Sequence, residues 1–320
     1  MDRLEACFWN REERRVRALW RLIIHGVALL LLAIVATGVI TSLVPTSVLG
    51  GQLSWPIGAT IAALVVAAAS ALVGRTLDRR RFDDFGLRLS PRWWADFGAG
   101  VVIGALLMGG IFVVELGAGW VTIEGYLIGA GDQAFVIALL GPLLTFVGVG
   151  FYEELLFRGY HLRNLAEGLC FERGRLGPRG AVVLATVLSS VAFGFAHANN
   201  TGATTISTIN VGLAGVMLAF GLLWTAELAL PIGLHLSWNF CQGNLFGFPV
   251  SGNHLEPRII AVRQLGDPLI TGGAFGPEAG VIGVVAMVIG VGLIAAWVRI
   301  SRGSLSLQVE LARWRADASG

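Results

Sequence analysis

Lysine is absent from this 320-residue chain, charged residues of all kinds make up only 14%, and cysteine and tyrosine occur three times each. Each shortage excludes something. A formal net charge of +2, carried entirely by arginine, leaves no surplus of positive charge of the kind that nucleic acid requires. Cys7, Cys170 and Cys241 are odd in number, far apart and without a Cys-x-x-Cys pair, so neither a disulfide framework nor a cysteine metal site is expected. The His-Glu-x-x-His helix of zinc peptidases is missing, and there is no internal repeat or low-complexity tract. What remains is apolar: 55% of the residues are hydrophobic, more than a soluble core of this length needs, which describes a membrane protein.

With about 20 apolar residues per bilayer crossing, spans fall near 22–44, 56–74, 96–117, 134–157, 181–198, 205–225, 231–248 and 280–298. The expected fold is all-α, a polytopic integral membrane helix bundle of about eight transmembrane helices. The first span is too long for a signal peptide's apolar region and reads as an uncleaved helix. The chain divides into an Arg-rich segment 1–21, N-terminal membrane helices 22–133, a core 134–250, and a region 251–320 holding an outer loop, the last helix and a tail. The spans 181–198 and 231–248 are short and carry histidines, so they are expected to form an inner wall away from lipid.

Arginine sets the expected orientation, because cytoplasmic flanks hold the excess positive charge. Arg3, Arg11, Arg14, Arg15, Arg17 and Arg21 lie in the head; Arg75, Arg79, Arg80, Arg81, Arg88 and Arg92 around the second connection; Arg158, Arg163, Arg173, Arg175 and Arg179 around the fourth. The alternate connections 45–55, 118–133 and 199–204 have none. Both termini are therefore expected in the cytoplasm, in agreement with Arg299, Arg302, Arg313 and Arg315, and a bacterial plasma membrane is the expected location. The loop 249–279, rich in glycine and proline, is expected to be an irregular outer cap, with Arg258 and Arg263 on the outer side where the charge rule is weakest.

Three polar motifs interrupt this apolar background: Glu153-Glu154-Leu155-Leu156-Phe157-Arg158, Phe193 with His197, and His235 with Asn239. Ionisable groups at membrane depth are expensive, so several at helical spacing imply a built site. Two carboxylates, two imidazoles, an amide and a guanidinium supply a general base, oxyanion donors and a charge clamp, as a hydrolase requires. Glu154 and Arg158 have the i,i+4 order that favours an ion pair, whereas Glu153 points about 100 degrees away and is free to face the histidines. Residue 175 is the midpoint between Glu153 and His197, so a hairpin turning there sets the two level. His235 and Asn239 share one helix face just after Pro231. Because Arg158 lies only five residues past Glu153, the cavity is expected to open toward the cytoplasm.

Other residues take plainer readings. His25 is expected to be a hydrogen-bonded core residue, His161 and His254 surface residues, and Phe193 packing that shapes the pocket. Gly148 and Gly150 suit close approach of either a backbone or a substrate. His197, His235 and a glutamate could supply the three ligands of a catalytic zinc. Asn239 is a poor zinc ligand and a good oxyanion donor, so water activated by glutamate without an obligatory metal is equally consistent.

The ordered set resembles the CAAX prenyl protease and bacteriocin-processing enzyme family of intramembrane endopeptidases, also called the Abi family. Its pattern is Glu-Glu-x-x-x-Arg, Phe-x-x-x-His and His-x-x-x-Asn or Asp on separate membrane helices. Glu153, Glu154 and Arg158 match the first, Phe193 and His197 the second, and His235 and Asn239 the third, within about residues 134–250. The resemblance implies that Glu153, assisted by His197, activates water, that His235 and Asn239 stabilise the tetrahedral oxyanion, and that Glu154 and Arg158 organise the first motif. It implies a metallo- or glutamate-type peptidase acting on membrane proteins or lipidated peptides in the bilayer, with zinc as the metal if there is one, held by Glu153, His197 and His235. Two other classes compete. Gly272-Gly273-Ala274-Phe275-Gly276-Pro277-Glu278 loosely resembles a chloride-channel signature, which would make the chain a channel or transporter. A catalytically silent membrane scaffold is the third, though a scaffold has no reason to bear buried ionisable groups.

Overall fold

The computed structural model describes residues 7–11, 13–51, 53–170 and 176–314. Arg3, Arg173, Arg175 and Arg315, together with the expected turn at residue 175, lie outside the described residues. Among the described residues seven helices are long and apolar enough to cross a membrane: α1 Ala18–Leu43, α2 Ser54–Asp78, α3 Pro91–Gly117, α4 Phe135–Leu169, α5 Pro178–Ala196, α6 Thr205–Thr225 and α8 Val281–Arg302. An eighth, α7, covers Ala229–Phe240 and continues as a π-helical turn over Cys241–Leu245. The protein is an integral membrane helix bundle, because in lipid an apolar run must satisfy its backbone internally and a helix does so within one segment.

The helix too short to cross is the one most enclosed. Every residue of α7 from Ala229 to Trp238 is buried, and the helix is walled in by α3, α4 and α6. Glycine makes this possible: a methyl group added at Gly104 of α3 would stand 2.2 Å from Ser237 Oγ and 2.5 Å from the Leu234 carbonyl oxygen. Backbone therefore lies against backbone. Gly148 and Gly150 of α4 have the same use, facing Ala59 of α2 and the Ile232–Leu236 turn of α7. They admit neighbouring helices rather than a substrate. The expectation of an inner wall holds for α7 but not for α5, which turns Val183, Val187, Val191 and Phe195 outward. Its apolar residues are too many for one buried stripe.

Between the helix ends the structure departs from the expected loops. Val121–Ile128 forms a strand, β1, paired antiparallel with β2, Arg258–Gln264. β-branched residues recur in both segments, which suits a half-buried ribbon, and Arg263 Nε meets Glu124 Oε1 across it at 2.9 Å. At the opposite end of the bundle several arginines expected only to mark topology hold the fold. Arg15 and Arg21 reach Glu167 Oε2 at 2.7 and 3.1 Å, Arg80 reaches Oε1 of the same carboxylate, and Arg302 pairs with Asp96 at 2.6 Å.

Candidate active site

The first motif sits where α4 changes its winding. Leu140–Glu153 is α-helical and Glu154–Leu162 is a π-helix, a wider turn that occurs chiefly at functional positions. Glu154 and Arg158 form the ion pair that their order favours, Nη1 to Oε1 at 2.9 Å, with 0% and 1% of their side chains accessible. Arg158 also donates to the Gly215 carbonyl of α6 at 3.1 Å and lies 4.2 Å above the ring of Phe193. Phe193 therefore packs as expected and also covers the guanidinium as a cation–π partner.

Both histidines are held by one nitrogen and expose the other. His197 ends α5, where its Nδ1 lies 2.9 Å from the Phe193 carbonyl oxygen. A carbonyl only accepts, so Nδ1 carries the proton and Nε2 is left with a lone pair in the neutral ring. His235 Nδ1 lies 2.9 Å from Glu154 Oε1, the oxygen that also accepts from Arg158. A carboxylate held by Arg158 makes His235 the donor by the same logic. The two Nε2 atoms converge on Glu153 Oε2, each at 3.9 Å. That oxygen is buried without a hydrogen-bond partner, while Glu153 Oε1 accepts from the Tyr152 hydroxyl at 3.2 Å. Nothing in the sequence beyond its adjacency to Glu153 marks Tyr152.

These groups line a cavity of about 630 Å³. Asn239, one helical turn beyond His235, lines it too, so all three motifs reach one space. The remaining walls include Trp55, Thr145, Phe146, Asn199, Asn200, Thr201, Val250, Ser251, Asn253 and Glu278. Apart from Thr145 and Phe146 within α4, those residues come from the ends of helices and from the cap at the arginine-poor side. The cavity thus extends away from the arginine-rich end, contrary to the expectation that it opens there. The reason lies in the other direction, where Leu155, Tyr160, Leu162, Leu222 and Leu228 pack at 0% exposure beneath the site.

Glu278 belongs to the glycine-rich segment that resembles a channel signature. In the structure Gly272, Gly273 and Gly276 take positive φ values of 80°, 54° and 117°, folding the segment into part of the cap. Glu278 Oε1 accepts from the Ser251 amide at 2.6 Å, and Oε2 accepts from Gln242 Nε2, whose amide oxygen receives Trp238 Nε1 at 2.8 Å. Burial pushes the Glu278 carboxyl up to about 7, against the opposing effect of those donors. His161 is not the expected surface residue: it is half-buried, its ring edge-on to Phe157 and His25. His25 is fully buried with Nε2 at 3.1 Å from Ser70 Oγ, in keeping with a core role.

A membrane bundle with a buried carboxylate faced by two oriented imidazoles has the parts that activating a water inside the membrane would need. Residues 135–241, a third of the chain, match the family described as Type II CAAX prenyl endopeptidase Rce1-like, and this stretch carries all three motifs. That segment is similar to the Rce1-like CAAX prenyl endopeptidases. No curated protein and no solved structure matches the chain.

Proposed function

We propose that the protein is an intramembrane endopeptidase that hydrolyses peptide bonds of membrane-associated proteins or peptides with water activated by Glu153 and His197. The observation that carries this reading is the convergence of Glu153 Oε2, His197 Nε2 and His235 Nε2, three acceptors with no donor among them. A water placed between them donates its hydrogens to the carboxylate and to an imidazole, which aims its lone pair at a carbonyl carbon. Glu153 takes one proton as the C–O bond forms and can return it to the leaving nitrogen. Asn239 supplies an amide donor to the oxyanion. His235, held through Nδ1 by Glu154, can do so from Nε2 only when it carries both protons.

A second reading, favoured by the same acceptors, gives Glu153, His197 and His235 to zinc. The donor set suits the metal, and Glu154 against His235 Nδ1 is the carboxylate that orients such a ligand. Tetrahedral zinc ligands stand about 3.4 Å apart, and two acceptors sharing a water about 4.4 Å; the 3.9 Å separations fall between. Among the described residues no group of three such side chains is close enough as placed, so the side chains would have to draw in. A bound zinc would lower the proton affinity of its water. Glu153→Gln keeps the volume and removes the base of the first reading or a zinc ligand of the second, so purified Glu153→Gln should lose at least two orders of magnitude in cleavage rate. Turnover near wild type would overturn the assignment. Chelation followed by metal add-back separates the two readings.

A further inference from the structure

The direction of the cavity and the distribution of arginine bear on which side of the membrane supplies the substrate. Glu153 and His235 lie at mid-depth: Gly104, near the centre of the 27-residue α3, abuts the Leu234–Trp238 turn that carries His235. The α5–α6 hairpin reaches only this level at its tip, since His197 is the last turn of α5 and Asn199, Asn200 and Thr201 form the link. Above that tip the space is left to the cavity and is roofed by Val250, Ser251, Asn253, Leu255 and Glu278 of the cap. Below it the leucine core and the Glu154–Arg158 pair close the way.

The sealed end is also the charged end. Among the described residues Arg75, Arg79, Arg80, Arg81, Arg88, Arg179, Arg299, Arg302 and Arg313 stand there, whereas only Arg258 and Arg263 of β2 stand at the cap. Positive charge in short connections marks the cytoplasmic side. The geometry points to a catalytic cavity reached from the extracytoplasmic side, so that its substrates are extracytoplasmic segments of membrane-anchored or exported polypeptides rather than cytoplasmic tails. The substrate clause rests on the peptidase reading above; the side of access does not. Among the described residues no arginine lines the cavity. A C-terminal carboxylate would meet Glu153 and Glu278 there without a guanidinium to hold it, so the segment enters as internal chain, with an uncharged or basic sequence favoured.

Single cysteines test the side of access in a background with Cys7, Cys170 and Cys241 replaced. Asn199→Cys reports on the cavity, His254→Cys on the cap and Arg81→Cys on the opposite end. With a membrane-impermeant maleimide, the first two should label in intact cells and Arg81→Cys only after the cells are opened. Labelling of Asn199→Cys and His254→Cys only in opened cells would overturn the inference. A second arm uses a single-span reporter with one cleavable segment placed on either side of the membrane. Cleavage dependent on Glu153 is expected only for the extracytoplasmic placement. Cleavage confined to the cytoplasmic placement overturns the inference and leaves the peptidase standing. Should neither be cut, in membranes or by the enzyme in detergent, the peptidase reading fails and the labelling still decides the side.

Discussion

Glu154 Oε1 stands 2.9 Å from His235 Nδ1, and this contact decides which nitrogen of His235 faces the cavity. Because the same oxygen accepts from Arg158, one carboxylate joins the charge clamp to the cavity-facing imidazole. In the proposed mechanism Glu154 is then a positioning residue as well as an ion-pair partner. Glu154→Gln should lower kcat by about 10–100-fold, the usual loss when the partner of a working imidazole is removed, with KM changed little. Equal kcat and a raised KM in steady-state assays would instead assign Glu154 to substrate binding.

Arg158 is 1% exposed and bonded to both Glu154 and the Gly215 carbonyl. Its truncation leaves a buried carboxylate without its cation, which costs about 3–5 kcal/mol. Arg158→Ala should therefore lower the thermal midpoint in detergent as well as activity. An unchanged midpoint would show that the pair adds nothing to the fold.

Gly194 lies three residues before His197, and a methyl group there would sit 2.5 Å from the Thr208 carbonyl of α6. Gly194→Ala must push α5 from α6 and shift His197. The packing cost is about 1–3 kcal/mol, and a displacement near 1 Å at the site costs about 100-fold in rate. Gly58→Ala, with nothing within 4 Å, should leave rate and midpoint as in wild type. A Gly194→Ala enzyme as fast as that control would show that His197 tolerates movement.

Glu278 binds its proton more tightly in the fold than in the unfolded chain, since burial lifts it from 4.5 to about 7. Stability is then greatest below the unfolded value and falls as pH rises toward the folded one, by no more than about 3–4 kcal/mol. Thermal midpoints of wild type should decline between about pH 5 and pH 7, and Glu278→Gln should flatten that decline. A wild-type profile already flat over that window would mean that Glu278 stays ionised beneath the cap.

Cleavage should also respond to Tyr152, whose hydroxyl donates to Glu153 Oε1 at 3.2 Å. Tyr152→Phe removes the donor that orients this carboxylate, so kcat should fall while KM changes little. An unchanged kcat with altered KM would place Tyr152 in substrate contact alone.

Local spacing made part of this molecule legible in the amino-acid order. Apolar runs of membrane length dictate helices, because lipid offers the backbone no other partner. An acid four residues before a base on one helix dictates the Glu154–Arg158 pair, and ionisable groups at membrane depth mark the site. Tertiary structure decided what no local pattern encodes. The burial of α7 depends on glycines of α3 more than 100 residues away in the chain. Packing of α4 against α5 and α7 sets which carboxylate meets which histidine, Glu154 at His235 Nδ1 and Glu153 between the two Nε2 atoms. The roof over the cavity joins Ser251, Glu278 and Gln242 from separate segments, and the direction of the cavity follows from where that roof and the leucine core lie. Such relations arise from packing between distant parts of the chain, where each helix face is chosen by its neighbours and not by its own periodicity.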